Sequence, residues 1–274
     1  MTSGGGVPRK ISGYAPVHGL AMYYEIEGAG KPLVFIPPAF GHAGSQTFPA
    51  LVQNHSVLTV DLQGHGRTAD LPGRPLSIEQ YAEDVVGLLK WLGIPKTDLL
   101  GESYGASTAA LIALRYPGLV DRVAAYGATF GPPGVAINPA TIPSGDPPAA
   151  DSQYIRHQRE RYEKVAPRPE DWPAIYEKVG KIRWSGFTDA ELASMRAPLL
   201  ILVGDHDFVR LEHAVQAFQR IPGAELAVIP DASHFSLSSE QDRVIPVVKH
   251  FLEKPGERLP LAIGGLGYRP GHSR

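Results

Sequence analysis

Apolar residues follow two rhythms along this chain. Short runs at residues 22–26, 33–36, 57–61, 98–100, 123–126, 199–203 and 226–229 read as strands. Another, 11–17, is separated from 22–26 by His18-Gly19-Leu20 and reads as its hairpin partner. Between the runs, apolar positions recur every three or four residues. Ser77 and Gln80 form a capping box, and Ile78, Tyr81, Ala82, Val85, Leu89 and Leu92 follow at helical spacing. Residues 104–116 form an alanine-rich helix that Pro117-Gly118 stop. Val244, Val247, Val248 and Phe251 mark one face of a last helix, bent at Pro246. This alternation predicts an α/β fold, with a mostly parallel central sheet flanked by helices.

The rhythm breaks between about 130 and 198. Gly131-Pro132-Pro133-Gly134 and residues 143–148 are loop material. Charged, aromatic helices follow at 154–165 and 172–179, and two of the three tryptophans, Trp172 and Trp184, lie in this stretch. Large aromatics outside the main core need something to cover. Residues 130–197 therefore read as a helical lid inserted over the C-terminal edge of the sheet, where open α/β sheets bind ligands. The core takes 1–129 and 198–254, and the Gly/Pro-rich 255–274 reads as a loose tail.

Composition narrows the function classes. There are 26 Lys and Arg against 28 Asp and Glu, a formal net charge of −2, so nothing favours nucleic acid or an anionic membrane as partner. With no cysteine, thiolate metal sites and a cysteine nucleophile are excluded. Residues 1–10 are polar and Gly-rich, and no apolar run approaches a membrane span, so a soluble, cytoplasmic protein is expected.

The candidate chemistry starts at Gly101-Glu102-Ser103-Tyr104-Gly105, a Gly-x-Ser-x-Gly pattern placed after a strand and before a helix. A serine hydroxyl is a poor nucleophile until a sharp turn projects it beside a base, with backbone N–H groups ready for an oxyanion. The glycines leave room at that turn. The strand at 199–203 is followed by Gly204-Asp205-His206-Asp207, and the strand at 226–229 by Pro230-Asp231-Ala232-Ser233-His234. A serine, an acid and a histidine thus fall, in that order, at the same sheet edge.

With these landmarks the chain resembles the α/β-hydrolase family from Tyr14 to Leu252. Asp61-Leu62-Gln63-Gly64-His65-Gly66-Arg67 is similar to the family's turn after its fourth strand. The resemblance implies Ser103 as nucleophile, His234 as base and Asp207 as acid, with Tyr104 giving the first oxyanion N–H. It departs after the third strand. There the family often carries His-Gly, whereas this chain has Pro37-Pro38-Ala39-Phe40-Gly41, so the second N–H falls to Ala39 or Phe40. The reaction implied is hydrolysis of a small to medium, apolar carboxylic ester, with no cofactor and no metal.

Each residue has a competing structural role. Asp205 could cap the loop or replace Asp207, and Asp205-His206-Asp207 as a metal cluster would need partners from elsewhere. Glu102 should point away from Ser103 and be structural, and His65 belongs to a turn. His42, Tyr154, Trp172 and Trp184 are candidate pocket residues, with solvent exposure the alternative for His42 and lid packing for the aromatics. Gly264-Gly265-Leu266-Gly267 has neither strand nor helix around it and is no dinucleotide signature. Carbon–carbon bond hydrolases, lactonases and thioesterases share the triad. Phe235, where plant hydroxynitrile lyases carry lysine, counts against that activity. A ligand-binding receptor on the same scaffold is the alternative from another class, and the intact triad weighs against it. Oligomeric state leaves no mark on the sequence.

Overall fold

The computed structural model describes residues 10–132, 136–137 and 149–254. It contains one sheet of eight strands: β1 (Lys10–Val17), β2 (Leu20–Gly28), β3 (Lys31–Ile36), β4 (His55–Val60), β5 (Thr97–Glu102), β6 (Val120–Tyr126), β7 (Leu199–Gly204) and β8 (Glu225–Ile229). The spatial order is β1-β2-β4-β3-β5-β6-β7-β8. β1 pairs antiparallel with β2 and β2 with β4, and every pair from β4 to β8 is parallel. The hairpin turns on His18 and Gly19, at φ 47° and 86°, so Leu20 opens β2 instead of belonging to the loop.

The α-helices of the described residues are α1 (Ile78–Trp91), α2 (Tyr104–Arg115), α3 (Gln153–Glu163), α4 (Trp172–Gly180), α5 (Asp189–Ser194), α6 (Leu211–Arg220), α7 (Ser236–Ser239) and α8 (Gln241–Glu253). Two-residue alternation gives the sheet two apolar faces. On β3, Val34 and Ile36 join the core with α1, α2 and α6, while Leu33 and Phe35 join the core with α8. α8 runs on through Pro246. At the start of α1 the Ser77 hydroxyl accepts from the Gln80 N–H at 3.1 Å. The Gln80 amide faces the Arg74 guanidinium, so only the Ser77 half of the expected box forms.

Three helices lie outside the pattern read from the sequence. α5 opens on a complete capping box of Thr188 and Glu191. α6 buries His213, Ala214 and Ala217, and α7 is a single turn that buries Ser236 and Leu237.

The segment between β6 and β7 carries α3, α4 and α5 and shares the core of the α1–α2 face through Ile155, Tyr162, Trp172, Ile175 and Trp184. Lys178 of α4 locks it to the turn after β4. Its Nζ donates to Asp70 Oδ2 at 2.6 Å and to the carbonyls of Leu71 and Arg74, both at 3.0 Å. The sequence expectations for residues 1–9, 133–134, 143–148 and 255–274 lie outside the described residues. Among the described residues no helix is long and apolar enough to cross a membrane.

Candidate active site

β5 passes into α2 through Ser103, at φ 56° and ψ −119°. A non-glycine residue is strained there by about 1–3 kcal/mol, so its surroundings must hold it. They do: Ser103 N–H donates to the Tyr126 carbonyl of β6 at 2.9 Å. Close backbone approach completes the turn. A Cβ at Gly105 would stand 2.0 Å from the Ile36 carbonyl oxygen and 2.5 Å from that of Pro37. The first turn of α2 is therefore pressed against the end of β3. Strand order reverses between β3 and β5, the place where open α/β sheets form a crevice.

Tyr104 is the first residue of α2, so its N–H has no partner within the helix. The neighbouring loop begins with Pro37 and Pro38, which have no N–H. Gly41 N–H is committed to the Pro38 carbonyl at 2.9 Å. The loop's remaining backbone donors are Ala39 and Phe40. Phe40 sits at φ 62°, and its ring is 5.1 Å from Trp172 and 6.4 Å from Tyr176, both on α4. The segment between β6 and β7 thus rests directly on the loop beside Ser103.

Asp207 and His234 follow β7 and β8. His234 is buried, and its Nδ1 lies 2.8 Å from Asp207 Oδ1. The same oxygen accepts from the Val209 N–H at 2.8 Å. His234 Nε2 is buried with no hydrogen-bond partner. Phe208 covers the imidazole, ring centroid to ring centroid 3.7 Å. Asp205 is exposed and turned elsewhere. Its Oδ1 accepts from the Ala232 N–H at 3.1 Å, and the backbone donors of Asp231 and Ala232 hold its carboxyl below the usual range. Among the described residues no group of three His, Asp or Glu side chains is placed to hold a metal ion.

β6 joins the two halves of the site. Tyr126 takes the Ser103 N–H with its carbonyl, and its hydroxyl donates to the Ser233 carbonyl at 2.6 Å, one residue before His234. Gly127 follows at φ 62°, and a Cβ there would stand 2.7 Å from His234 Cε1 and 3.4 Å from Asp207 Oδ2. One short stretch of chain therefore touches all three segments.

The remaining sequence candidates separate clearly. His42 is buried, its Nδ1 is 2.7 Å from the Ala43 carbonyl, and burial lowers its pKa. Tyr154 is half-buried against Phe235, with centroids 5.3 Å apart. Trp172 packs on Tyr162 at 5.5 Å, and Trp184 donates from Nε1 to the Thr129 carbonyl at 2.8 Å, so both are bound into the packing of the segment between β6 and β7. His65 is buried with Nδ1 2.8 Å from the Gln63 carbonyl, and burial takes its pKa down to about 4. Glu102 turns away from the helix and is buried, yet the charges of His234 and Asp207 both act on it. Tyr126, Gly127 and Phe208 were not singled out from the sequence. A glycine placed directly after the run 123–126 was the available signal for Gly127.

The comparisons agree with this architecture. Residues 28–247 match the model of the alpha/beta hydrolase family. An sn-1-specific diacylglycerol lipase of Mus musculus is 27% identical over 270 residues, covering 87% of each chain. The 2-hydroxy-6-oxo-2,4-heptadienoate hydrolase of Pseudomonas putida is 26% identical over 249 residues, covering 82% of this chain and 90% of that one. Among solved structures, a meta-cleavage product hydrolase from Pseudomonas fluorescens superposes with a TM-score of 0.70 at 22% identity, covering 86% of this chain and 95% of that one. The match spans strands β3 to β8 and every segment of the site, and the chain belongs to the alpha/beta hydrolase family.

Proposed function

We propose that the protein is a serine hydrolase that cleaves carboxylic esters of small to medium, apolar substrates through an acyl-enzyme. The observation that carries this reading is the buried His234–Asp207 pair, at 2.8 Å, with Nε2 left unpaired at the sheet edge where Ser103 is held in its strained turn. In this reading the Ser103 oxygen attacks the acyl carbon while His234 Nε2 takes its proton. Asp207 keeps the Nδ1 proton directed at itself and stabilises the imidazolium. The Tyr104 N–H and one donor of the Pro37–Gly41 loop, Ala39 or Phe40, meet the developing oxyanion. Each such donor is worth about 2.7–4 kcal/mol in the transition state. His234 then gives its proton to the leaving alcohol. Water, activated by the same nitrogen, releases the acid and restores Ser103. The aromatic rings of Phe40, Tyr154 and Phe235 near this edge support an apolar acyl or alcohol group.

Ser103→Ala is expected to remove essentially all turnover of a p-nitrophenyl ester while leaving the unfolding transition in place. A fluorophosphonate should label the wild-type protein at Ser103 and nowhere in the variant. Ester turnover that survives in Ser103→Ala overturns the assignment.

A second reading, cleavage of a carbon–carbon bond with the same three residues, is favoured by the similarity to the 2-hydroxy-6-oxo-2,4-heptadienoate hydrolase. A panel of esters, lactones, thioesters and β-diketones separates the two by their kcat/KM.

A further inference from the structure

Glu102 precedes Ser103, but its side chain leaves on the opposite side of the turn. It is 1% exposed. Two other segments converge on its carboxyl. Ser238 Oγ lies 2.8 Å from Oε2 and 3.0 Å from Oε1, and Gln46 Nε2 donates to Oε2 at 2.8 Å. Gln46 and Ser238 also touch each other. Ser238 is on α7, which begins two residues after His234. Gln46 lies in the segment that continues from the Pro37–Gly41 loop. Behind Ser103, one carboxyl therefore joins the turn carrying the hydroxyl, the loop carrying the second oxyanion donor and the segment carrying the base.

We propose that Glu102 is a positioning residue for the hydrolysis: its carboxyl clamps the His234 segment and the loop after β3 to the serine turn, and its charge favours the imidazolium that forms on His234. This rests on the reading of Ser103 as the nucleophile. Misplacing a reacting group by about 1 Å can cost about 10²-fold in rate, so a clamp common to all three segments acts on kcat. The groups facing the carboxyl define its electrostatics. His234 favours its ionised form and Asp207 opposes it, while the hydroxyls of Tyr126 on β6 and Tyr154 on α3 lie within its field. Burial outweighs the two hydrogen bonds and pushes the Glu102 carboxyl up to about 7, so its charge changes within the range where such an enzyme is assayed.

The test uses the full chain as wild type, Glu102→Gln, Glu102→Ala and Ser238→Ala. The readouts are the rate of Ser103 labelling by a fluorophosphonate, and kcat and KM for a p-nitrophenyl ester between about pH 5 and about pH 9. Glu102→Ala is expected to lose about tenfold or more in kcat with KM within about twofold, because positioning rather than binding is damaged. Glu102→Gln can still accept from Ser238 and should recover part of that loss. Its acid limb in kcat/KM should move to lower pH, because the neighbouring charge is gone. Ser238→Ala loses part of the clamp and one of the two hydrogen bonds that favour the ionised carboxyl, so kcat falls and the limb moves the same way as in Glu102→Gln, by less. If Glu102→Ala fails to fold, Glu102→Gln and Ser238→Ala carry the test. A Glu102→Gln protein with wild-type kcat and wild-type pH profile overturns the proposal, even if its Tm is lower. A wild-type protein that is not labelled at Ser103 overturns the hydrolase reading itself. Equal labelling of the wild type and all three variants overturns only the role of Glu102.

Discussion

A methyl group added at Gly127 has nowhere to go. It would lie 2.7 Å from the His234 ring on a backbone at φ 62°, which L side chains rarely adopt. Gly127→Ala is therefore expected to push the imidazole off Asp207. kcat should fall by about 10²-fold, as for a reacting group misplaced by about 1 Å. The strained backbone adds about 1–3 kcal/mol of destabilisation. Kinetics on an ester, together with urea unfolding, check both, and a variant with wild-type kcat shows that the ring has room to shift. The same residue shows where sequence reading stops. Ser103, Asp207 and His234 are legible because each follows its own strand and the serine sits between two glycines at fixed spacing. Gly127, Phe208 and the partners of Glu102 act through neighbours far along the chain. Tyr126 meets Ser233 across 107 positions, and nothing local at either residue announces the other.

At the level of elements, the sheet is legible and the small helices are not. Strands buried on both faces give unbroken apolar runs, so β3 and β7 are found within two residues of their ends. α5 and α7 are too short, at six and four residues, to establish a period. The placement of α4 is equally hidden, because its anchor is a lysine, which reads from sequence as a solvated charge. In the structure Lys178 Nζ makes three hydrogen bonds to the turn after β4, and Gln63 donates to the other oxygen of the same Asp70 at 2.8 Å. Removing one partner of a buried ion pair costs about 3–5 kcal/mol, so Lys178→Met should lower the unfolding free energy by about that amount. It also leaves Asp70 buried without its cation. Limited proteolysis should then cut the segment between β6 and β7 faster than in the wild type, while the Ser103 labelling site remains. Unchanged protection of that segment means that α4 is held by its apolar face alone.

For the molecule as a whole, four buried titratable groups act against one another. Burial raises Asp61 and Glu102 to about 7, from 3.8 and 4.5, and lowers His65 and His213 from 6.5 to about 4. Between those values the folded state holds the acid protons more tightly than the unfolded chain. The stability this gives is complete at low pH and is lost as pH rises towards 7. The histidines do the reverse. The unfolded chain binds their protons first, so their contribution is present near pH 6.5 and is lost as pH falls towards 4. Across this window the two acids and the two histidines therefore pull the stability in opposite directions. Glu102→Gln removes one acid, so its stability relative to wild type should rise with pH, by up to about 1.4 kcal/mol per unit, the slope of a single proton. Urea unfolding at about pH 5 and about pH 7 measures the difference, and parallel profiles contradict the balance.

The contact of Gly105 with the carbonyls of Ile36 and Pro37, and of Gly127 with the His234 ring, has a consequence for what can be changed. At this edge of the sheet, backbone rests on backbone and on the imidazole itself, so there is no side chain to exchange and no slack to absorb one. Residues 153–194 are different: they carry α3, α4 and α5 and meet the edge through side chains, of which the half-buried Tyr154 can be traded for other shapes. A mutant library aimed at a new substrate has its room there. The same diversity placed at the strand ends returns mostly chains that no longer fold.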